Sequence, residues 1–489
     1  MSLGIIGGMT FLHPLTRLVR ARPLLWVLLI ATVLRLGIVL AFPSVFAWDQ
    51  TGTVHGSTAY DTYATHLLAT GVYGKAEAGV ADAHLPPLYS YVLAGIYGLF
   101  GRSSTPVIAL HILLDLLTIT CLYHIATRLF PYGKAVGALA GLAYAAYPYL
   151  IFQNMTLIDT PLFMALLHGF VLLIVLLVKR TEGLDKVGWL CALGAGVLLG
   201  LMALTRTNSV LFAFGAALWA WIMLDFRRSA ARLLPVALAS AVVVAPWIIR
   251  SSSLYGTFVP IALNGGENFY QGNSVHTIPY FRAGYDVQWV PPPEGMDIYP
   301  DRFGPDANNA RQRAGMDYLA SNPSVIPELL WVKFLVHWSI DIAPLRNPVE
   351  GEQPLVNYDG SVAASTDSSG DLSLTDLPSG DPVGAYSSSL FDQVGRTVHR
   401  FYYGGLFILA LIGFALSWRI ARPASLIWLI QIINTLSYVL FHPSTRYRVP
   451  TDPLLFILSA YALILIALWL WARSRPRTQS SPTIHGATS

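Results

Sequence analysis

Carboxylates able to act as a general base lie in a polar stretch, residues 43–104, between the first two apolar runs of the chain. Asp61 follows Tyr60 at the start of a helix-like segment, and Asp49 comes soon after the first apolar run. A carboxylate beside hydroxyl-bearing side chains can take the proton from an acceptor hydroxyl during group transfer. A solvated loop acid is the alternative for both residues, and the two interpretations stay open on the residues alone.

A third acid, Asp159, precedes Thr160 and Pro161 at the start of a long apolar run. Aspartate is favoured at a helix N-cap, where it accepts backbone hydrogen bonds and opposes the helix dipole. Ionisable groups at membrane depth are equally candidates for function. Asp159 is therefore a candidate catalytic residue beside Asp61 and Asp49, with helix capping as the alternative.

Three arginines, Arg206, Arg446 and Arg448, lie in turns between apolar runs. The guanidinium fork matches the oxygen atoms of phosphate. We expect these arginines, together with His84 from the first polar stretch, to bind the phosphate of an anionic donor. Attraction to lipid headgroups is the alternative, and it explains one arginine better than it explains the cluster.

The segment from Asn264 to Asn273 combines glycines with amide, acidic and aromatic side chains. Amide and carboxylate groups hydrogen-bond to hydroxyls, and aromatic rings offer a large apolar face with a polar edge. Glu267, Asn268 and Asn273, together with Tyr60, are therefore the candidate substrate-binding residues for a sugar. An ordinary surface loop is the alternative.

Membrane helices must position these residues. Of the 489 residues, 54% are hydrophobic and 12% are charged, about half the charged fraction of a soluble domain. The formal net charge of +4 is too small to indicate a nucleic-acid partner. Cys121 and Cys191 both lie in apolar runs, so the sequence predicts neither a disulfide framework nor a zinc site. The expected fold class is an all-α polytopic membrane protein.

Ten apolar runs are candidates to cross a bilayer, which takes about twenty residues. They are 24–42, 105–127, 135–151, 160–178, 188–204, 209–224, 233–249, 399–418, 423–441 and 453–472. Basic residues cluster in alternate connections, and the positive-inside rule places those connections and both termini in the cytoplasm. The further run 326–343 is interrupted by Lys333, His337 and Asp341, and we expect it to be an amphipathic helix at the outer interface.

This topology predicts how the chain is divided. In chain order we expect a basic cytoplasmic lead (1–23), the first transmembrane helix (24–42), a first extracytoplasmic loop with interfacial helices (43–104), transmembrane helices 2–7 (105–249), a large extracytoplasmic segment (250–398) with a flexible Ser/Gly/Asp-rich insertion (351–390), transmembrane helices 8–10 (399–472) and a cytoplasmic tail (473–489). A cleaved signal peptide ending near Ala47 is the alternative for the first run, whose length favours an uncleaved helix.

Three ordered patches resemble the bacterial membrane glycosyltransferases of the GT-C fold, in the family 39-type branch akin to protein O-mannosyltransferases and the lipid A aminoarabinose transferase. The first patch contains Gly71-x-Tyr73, Leu85-Pro86-Pro87-Leu88-Tyr89 and Leu99-Phe100-Gly101. The second contains Pro246-Trp247-x-x-Arg250, Asn264-Gly265-Gly266 and Gly272-Asn273, and the third runs from His442-Pro443 to Pro453. With the layout of the apolar runs, the resemblance covers residues 24–472.

The resemblance implies an inverting transfer of a sugar from a polyprenyl-phosphate carrier to a lipid, glycan or protein acceptor, on the outer side of the inner (plasma) membrane. It implies a base from the first loop and a second acid at the start of the fourth span, which Asp159 matches. Family members carry aspartate four residues before the equivalent of Tyr60, where this chain has Gly56, so the role of base passes to Asp61 or Asp49. The sequence indicates no particular cofactor, and a divalent cation at Asp159 stays open.

Two other functions also stay open. A transporter or flippase of a lipid-linked or anionic substrate would line a path with charges inside the membrane, where Arg35 and Asp115 are the main examples. Polar residues crowd one face of the membrane instead, which favours chemistry at that surface. A non-catalytic scaffold of the same fold is the second alternative. For an enzyme, Arg446 and Arg448 are expected to stabilise the phosphate leaving group, because such electrostatic stabilisation is commonly the largest catalytic contribution.

Overall fold

The computed structural model describes residues 22–48, 57–181, 184–345, 353–366, 372–373 and 390–474. Helices form nearly all the regular structure in these ranges, and the sheet found there has three short strands. The predicted all-α fold class is therefore confirmed. Asp49, one of the candidate catalytic acids, lies outside the described residues.

The helices are numbered in chain order. They are α1 (Pro23–Ala41), α2 (Pro43–Phe46), α3 (Thr58–Thr70), α4 (Leu88–Phe100), α5 (Ser104–Leu129), α6 (Gly133–Ala145), α7 (Pro148–Asn154), α8 (Thr160–Val178), α9 (Lys186–Ala203), α10 (Leu211–Met223), α11 (Phe226–Tyr255), α12 (Gly265–Gly272), α13 (Thr277–Ala283), α14 (Pro305–Ser321), α15 (Ile326–His337), α16 (Leu390–Ser417), α17 (Ala421–Leu440), α18 (Thr445–Arg448) and α19 (Asp452–Ser474). The strands are β1 (Gln353–Val356), β2 (Val362–Thr366) and β3 (Leu372–Ser373), paired antiparallel in the order β1-β2-β3.

Seven helical segments within the described ranges are long and apolar enough to cross a membrane. One of them, Val394–Leu440, contains most of α16 and all of α17. The predicted run 135–151 is divided between α6 and α7, because the residue before Pro148 is extended and the proline begins a new helix. The chain is thus a multi-pass membrane protein, whereas ten spans and cytoplasmic termini stay predictions.

Small residues let the membrane helices approach one another closely. Gly196 and Gly200 of α9 face α11, where a Cβ atom on Gly196 would lie 2.4 Å from the Val236 carbonyl oxygen. A Cβ atom on Gly413 of α16 would lie 2.0 Å from the Leu458 carbonyl oxygen of α19. Close backbone packing of this kind drives helix association in lipid, where no hydrophobic effect acts between helices.

One buried ion pair ties the first helix into the bundle. Arg35 of α1 and Asp115 of α5 are fully buried, with 2.6 Å between Nε and Oδ2. The Tyr144 hydroxyl of α6 donates to the other oxygen of Asp115 at 2.6 Å, and Arg35 Nη1 donates to the Ala145 carbonyl at 3.1 Å. The charges of Arg35 and Asp115 therefore neutralise each other where three helices meet, and the pair holds these helices together.

The first polar loop is folded around Asp82. Its carboxylate accepts hydrogen bonds from the Tyr63 hydroxyl at 2.7 Å, the Lys75 backbone N–H at 2.7 Å and the His84 backbone N–H at 3.0 Å. Arg250, near the end of α11, donates to the Asp82 carbonyl. This network fixes the loop against α11 and places His84 and the prolines after it at the end of the bundle.

The structure differs from the predicted flexible insertion 351–390 in its first part. Residues 353–366 form a β-hairpin, and the Tyr280 hydroxyl of α13 donates to the Pro354 carbonyl at 2.6 Å. Valines from both strands pack on the apolar cluster around Tyr280. Composition does not reveal this hairpin, because the surface that stabilises it comes from a distant helix.

The helix α15 has 12 residues and is about 18 Å long at 1.5 Å per residue, well short of a membrane span of about 30 Å. The sequence-based choice not to count the run 326–343 as a span agrees with this length. Its position at the outer interface stays a prediction.

Gly272, the last residue of α12, lies against the turn that follows α17. A Cβ atom on Gly272 would lie 1.8 Å from the Phe441 carbonyl oxygen, whereas nothing lies within 4 Å of a Cβ atom on Gly265. Gly272→Ala is therefore expected to force the two elements apart and to cost about 1–3 kcal/mol, as overpacking usually does. Thermal unfolding in detergent measures the loss, with Gly265→Ala as the matched control; equal midpoints for the two variants would contradict the close approach.

Candidate active site

Turns and helix ends from six parts of the chain enclose a cavity of about 500 Å³ at one end of the bundle, here named the main cavity. Its walls are the start of α3, the turn before α4, the start of α8, the turn after α9, the start of α12 and the turn between α17 and α18. The side chains that determine its chemistry are Tyr60, Asp159, Arg206, Asn268, His442, Arg446 and Tyr447.

Asp159 is at the centre of a charged cluster in the main cavity. Arg206 donates from Nε to Asp159 Oδ2 at 2.6 Å and from Nη2 to Oδ1 at 3.1 Å. Arg446 donates from Nη2 to the same Oδ1 at 3.1 Å. Asp159 occupies the N-cap position of α8, yet its side chain makes no capping hydrogen bond. The carboxylate therefore binds two arginines instead of capping the helix.

The cluster carries an excess of positive charge. Burial opposes ionisation of Asp159, but Arg206 and Arg446 outweigh this effect and lower its pKa to about 2, so the group is a carboxylate at neutral pH. One negative and two positive groups leave one unit of positive charge. Arg206 Nη1 and Arg446 Nε are buried and have no hydrogen-bond partner within the described ranges. Because an unpaired buried donor is costly, the cluster is suited to an anion that supplies further oxygen atoms.

Aromatic and amide groups complete the wall around the arginines. The Tyr447 ring centroid lies 5.9 Å from the guanidinium carbon of Arg206 and 5.9 Å from that of Arg446, which are cation–π distances. His442 Nε2 lies 3.3 Å from Asn268 Oδ1. Burial, with the charges of Lys333 and Arg446, lowers the pKa of His442 to about 3. His442 is therefore neutral and able to hydrogen-bond a ligand without adding charge.

A smaller pocket of about 200 Å³ adjoins the main cavity and is here named the side pocket. The two share Leu85, Asn264, Asn268, His442 and Tyr447 as lining residues. The side pocket adds His84, Glu267, Gln271, Gln288 and Trp289. Thus His84, which the sequence assigned to phosphate binding, lines the side pocket and not the main cavity.

Asp61 faces away from the main cavity, although its neighbour Tyr60 lines it. Its carboxylate is bound by Arg102, with 2.8 Å between Nη2 and Oδ2, and by the Tyr97 hydroxyl at 2.9 Å. The Arg102 guanidinium in turn lies over the ring of Trp48, 5.0 Å from its centroid. The role of Asp61 as the base stays a prediction.

Arg448 and Asn273 are also placed elsewhere. Arg448 is fully buried, pairs with Asp452 at 3.2 Å and donates to the Ser339 carbonyl at 2.6 Å. Asn273 donates to the Leu440 carbonyl at 3.0 Å and accepts from Lys333 Nζ at 2.8 Å. Their geometry is that of groups joining helices, and neither lines the main cavity or the side pocket.

A divalent cation does not fit the described part of the site. Both oxygens of Asp159 are engaged by guanidinium groups, and the net positive charge of the cluster repels a cation. No group of three or more metal-binding side chains occurs among the residues that the structure describes. The cation that the sequence left open at Asp159 is therefore not part of the chemistry derived below.

Sequence reasoning did not single out His442, Tyr447 or Asn264 as site residues, although two of the patches that carried the resemblance contain them. Only their position in the sequence could have indicated them, because each lies within a few residues of a candidate that lines the main cavity. It also missed Gln271, one helical turn after Glu267.

The fold and the site define the class of this chain: a polytopic helical membrane protein with a cationic, polar cavity at one end of the bundle, built as in the GT-C fold. Its structure is similar to the archaeal oligosaccharyltransferase AglB from Archaeoglobus fulgidus, solved with an inhibitory peptide and a dolichol-phosphate, at a TM-score of 0.51 and 13% identity over 93% of this chain and 51% of that chain. The chain thus spans about half the length of AglB. The apo form of the same oligosaccharyltransferase gives a TM-score of 0.50, also at 13% identity, with the same coverage of 93% and 51%.

Two further comparisons concern the expected branch. ArnT from Cupriavidus metallidurans bound to undecaprenyl phosphate gives a TM-score of 0.38 at 14% identity, over 88% of this chain and 76% of that chain. A family model described as dolichyl-phosphate-mannose-protein mannosyltransferase matches residues 84–249. No curated protein matches the chain. The resemblance to membrane glycosyltransferases of the GT-C fold is confirmed.

Lys333 of α15 is buried beside the site and gives a prediction for pH dependence. Burial lowers its pKa to about 7, below the value of about 10.4 in an unfolded chain. The unfolded state then binds more protons between these values, so stability is expected to rise with pH across this window. Thermal midpoints in detergent from pH 6 to 10 measure this slope. Lys333→Met should flatten it, whereas the exposed control Lys186→Met should not; identical slopes would contradict the burial argument.

Proposed function

We propose that this chain transfers a sugar from a polyprenyl-phosphate-linked donor to a lipid, glycan or protein acceptor at the extracytoplasmic face of the inner membrane. The observation that carries the proposal is the pair of the buried Arg206 and the half-buried Arg446, each with an unpartnered buried donor atom, around a single carboxylate. This arrangement accommodates a phosphate oxyanion, and the neighbouring amides and tyrosines suit a sugar.

The comparisons support the same donor class. The family model refers to a dolichyl-phosphate sugar, and AglB was solved with a dolichol-phosphate. Both are polyprenyl-type phosphates, which fits a cationic cavity between membrane helix ends. These similarities do not identify the particular sugar or the acceptor.

The chain's residues assist inverting displacement at the anomeric carbon. As the bond to the phosphate oxygen breaks, negative charge grows on that oxygen, and the donors of Arg206 and Arg446 stabilise it. Asp159 holds both guanidinium groups in position, so little reorganisation is needed during the reaction. The acceptor attacks from the opposite face, and a carboxylate takes its proton.

The test uses the purified chain in proteoliposomes with radiolabelled undecaprenyl-phosphate mannose, and separately with the glucose and galactose forms. Membranes from a strain deleted for the chain supply the acceptors. We expect labelled sugar in the acceptor fraction together with released undecaprenyl phosphate. Movement of intact donor across the bilayer without cleavage would indicate the transporter instead, and binding of undecaprenyl phosphate without either activity would indicate a scaffold.

The proposed orientation predicts which surfaces face the outside. Native Cys121 and Cys191 are buried, so introduced cysteines dominate labelling. A membrane-impermeant maleimide should label Glu294→Cys in intact cells and Lys186→Cys only after lysis, because both positions are exposed and Glu294 lies five residues after Trp289 of the side pocket. The reverse pattern would place the cavity on the cytoplasmic side, and labelling of both positions in intact cells would place both surfaces outside. Either result would contradict the proposed topology.

A further inference from the structure

Glu267, which lines the side pocket, differs from Asp159 and Asp61 in its partners. Asp159 is bound by two arginines and Asp61 by Arg102. In the described part of the chain no lysine or arginine forms an ion pair with Glu267. Its only titratable partner there is His84, with 3.7 Å between His84 Nε2 and Glu267 Oε2. Burial and nearby cationic side chains lower the pKa of His84 to about 3, so this imidazole is neutral at pH 7. Glu267 is therefore a carboxylate whose charge is not compensated by a direct ion pair.

The fold holds Glu267 at the edge of the side pocket. It lies in the first turn of α12, whose next residue, Asn268, lines both the side pocket and the main cavity. Gln271, one turn later, donates to Glu267 Oε1 at 3.4 Å and to the Gln288 carbonyl at 3.3 Å. The Glu267 side chain keeps 34% of its surface exposed and lines the side pocket, so a ligand in that pocket can contact it.

The lining of the side pocket suits a hydroxyl-rich group. Carboxylate, amide and imidazole side chains offer donors and acceptors in several directions, and Trp289, which is 36% exposed, offers a flat apolar face. The volume of about 200 Å³ corresponds to a handful of water molecules at about 30 Å³ each. This is the scale of one sugar ring and is too small for a lipid chain.

We propose that the side pocket binds a sugar-like, hydroxyl-bearing part of the acceptor and that Glu267 is the general base for its attack. The inference rests on the proposed function and assigns its acceptor subsite. The acceptor oxygen forms a bond to the anomeric carbon while the bond from that carbon to the phosphate oxygen breaks. The electron pair leaves with the polyprenyl phosphate beside Arg206 and Arg446, and the hydroxyl proton moves to Glu267.

Azide is an anionic nucleophile that needs no deprotonation. A reaction with azide therefore distinguishes loss of the general base from loss of the donor site. With undecaprenyl-phosphate mannose and sodium azide, Glu267→Ala is expected to form mannosyl azide at least as fast as wild type, because the variant removes a negative charge that repels azide. Transfer to acceptor membranes should fall by about 10²–10⁴-fold, the usual contribution of a general base. Arg446→Lys should lose both products, since it impairs departure of the phosphate.

Glu267→Gln provides a second variant that keeps a hydrogen-bond acceptor for Gln271, and Glu294→Gln is the matched control on an exposed glutamate. Thermal stabilisation by undecaprenyl phosphate verifies that each variant is folded and binds the donor lipid. Loss of mannosyl azide in both Glu267 variants would assign the pocket to the donor sugar and overturn the proposal, as would transfer at the wild-type rate. A wild type that binds undecaprenyl phosphate but makes neither product with the mannose, glucose or galactose donor would overturn the proposed function itself.

Discussion

Replacing Arg446 with lysine is expected to lower kcat/KM for the polyprenyl-phosphate sugar by about 10²–10³-fold, the usual loss when one preorganised donor to a developing oxyanion is removed. Lysine keeps the charge but not the fork, which binds Asp159 through Nη2 and holds a second donor, Nε, that has no partner within the described ranges. The loss should appear mainly in kcat, because charge on the leaving oxygen is greatest in the transition state. Initial rates with labelled donor measure it.

Arg400→Lys is the control for this experiment. Arg400 lies in α16 and pairs with Asp341 at the surface, and it does not line the main cavity. Its kcat/KM is expected to stay within about twofold of wild type, since a surface ion pair contributes only about 0–1 kcal/mol. An Arg446→Lys variant that is folded and equally active would remove Arg446 from the reaction.

Asp159→Asn is expected to destabilise the protein by about 3–5 kcal/mol, because it leaves the buried guanidinium of Arg206 without its counter-charge. The variant cluster gains a second uncompensated positive charge, so a phosphate ligand should stabilise it more than it stabilises wild type. Thermal midpoints in detergent with and without undecaprenyl phosphate measure both effects. A midpoint equal to that of wild type, or a smaller response to the ligand, would contradict this account of the charged cluster.

The same variant predicts a change in acid stability. The pKa of Asp159 is lowered to about 2 in the folded protein. The stabilisation from its ion pairs is therefore fully present above the unfolded pKa of about 3.9 and is lost as pH falls from there toward the folded value. Asp159→Asn should lack this part of the acid transition, whereas the exposed control Asp297→Asn should keep it.

Much of the fold follows from local sequence. Apolar runs of membrane-spanning length predict the helices directly, since lipid forces each segment to satisfy its own backbone hydrogen bonds. The break before Pro148 and the β-hairpin in 353–366 differ from the expectation for different reasons. The first follows from the restriction that proline places on the preceding residue and is readable locally. The hairpin depends on a surface that α13 provides, which no local pattern contains.

The sequence predicted which types of residue the candidate site contains, but it did not predict which individual residues share the main cavity. Asp159, Arg206 and Arg446, three of the predicted site residues, form one cluster although 287 positions separate Asp159 from Arg446. Arg448 lies only two residues beyond Arg446 in the same short helix and is turned into the interior against Asp452. Two residues along a helix differ by about 200° in direction at 3.6 residues per turn, so neighbours in sequence face opposite sides.

The sequence by itself determined the class of protein, the helical segments and the supply of arginines and carboxylates, because these depend on composition and on the demands of the bilayer. The tertiary structure decided which polar groups share a cavity. Tyr60 faces the main cavity while Asp61, one residue on, faces Arg102, and Glu267 is left without a cationic partner while Asp159 has two. Each outcome depends on where a distant helix ends, and that is fixed only when the bundle has packed.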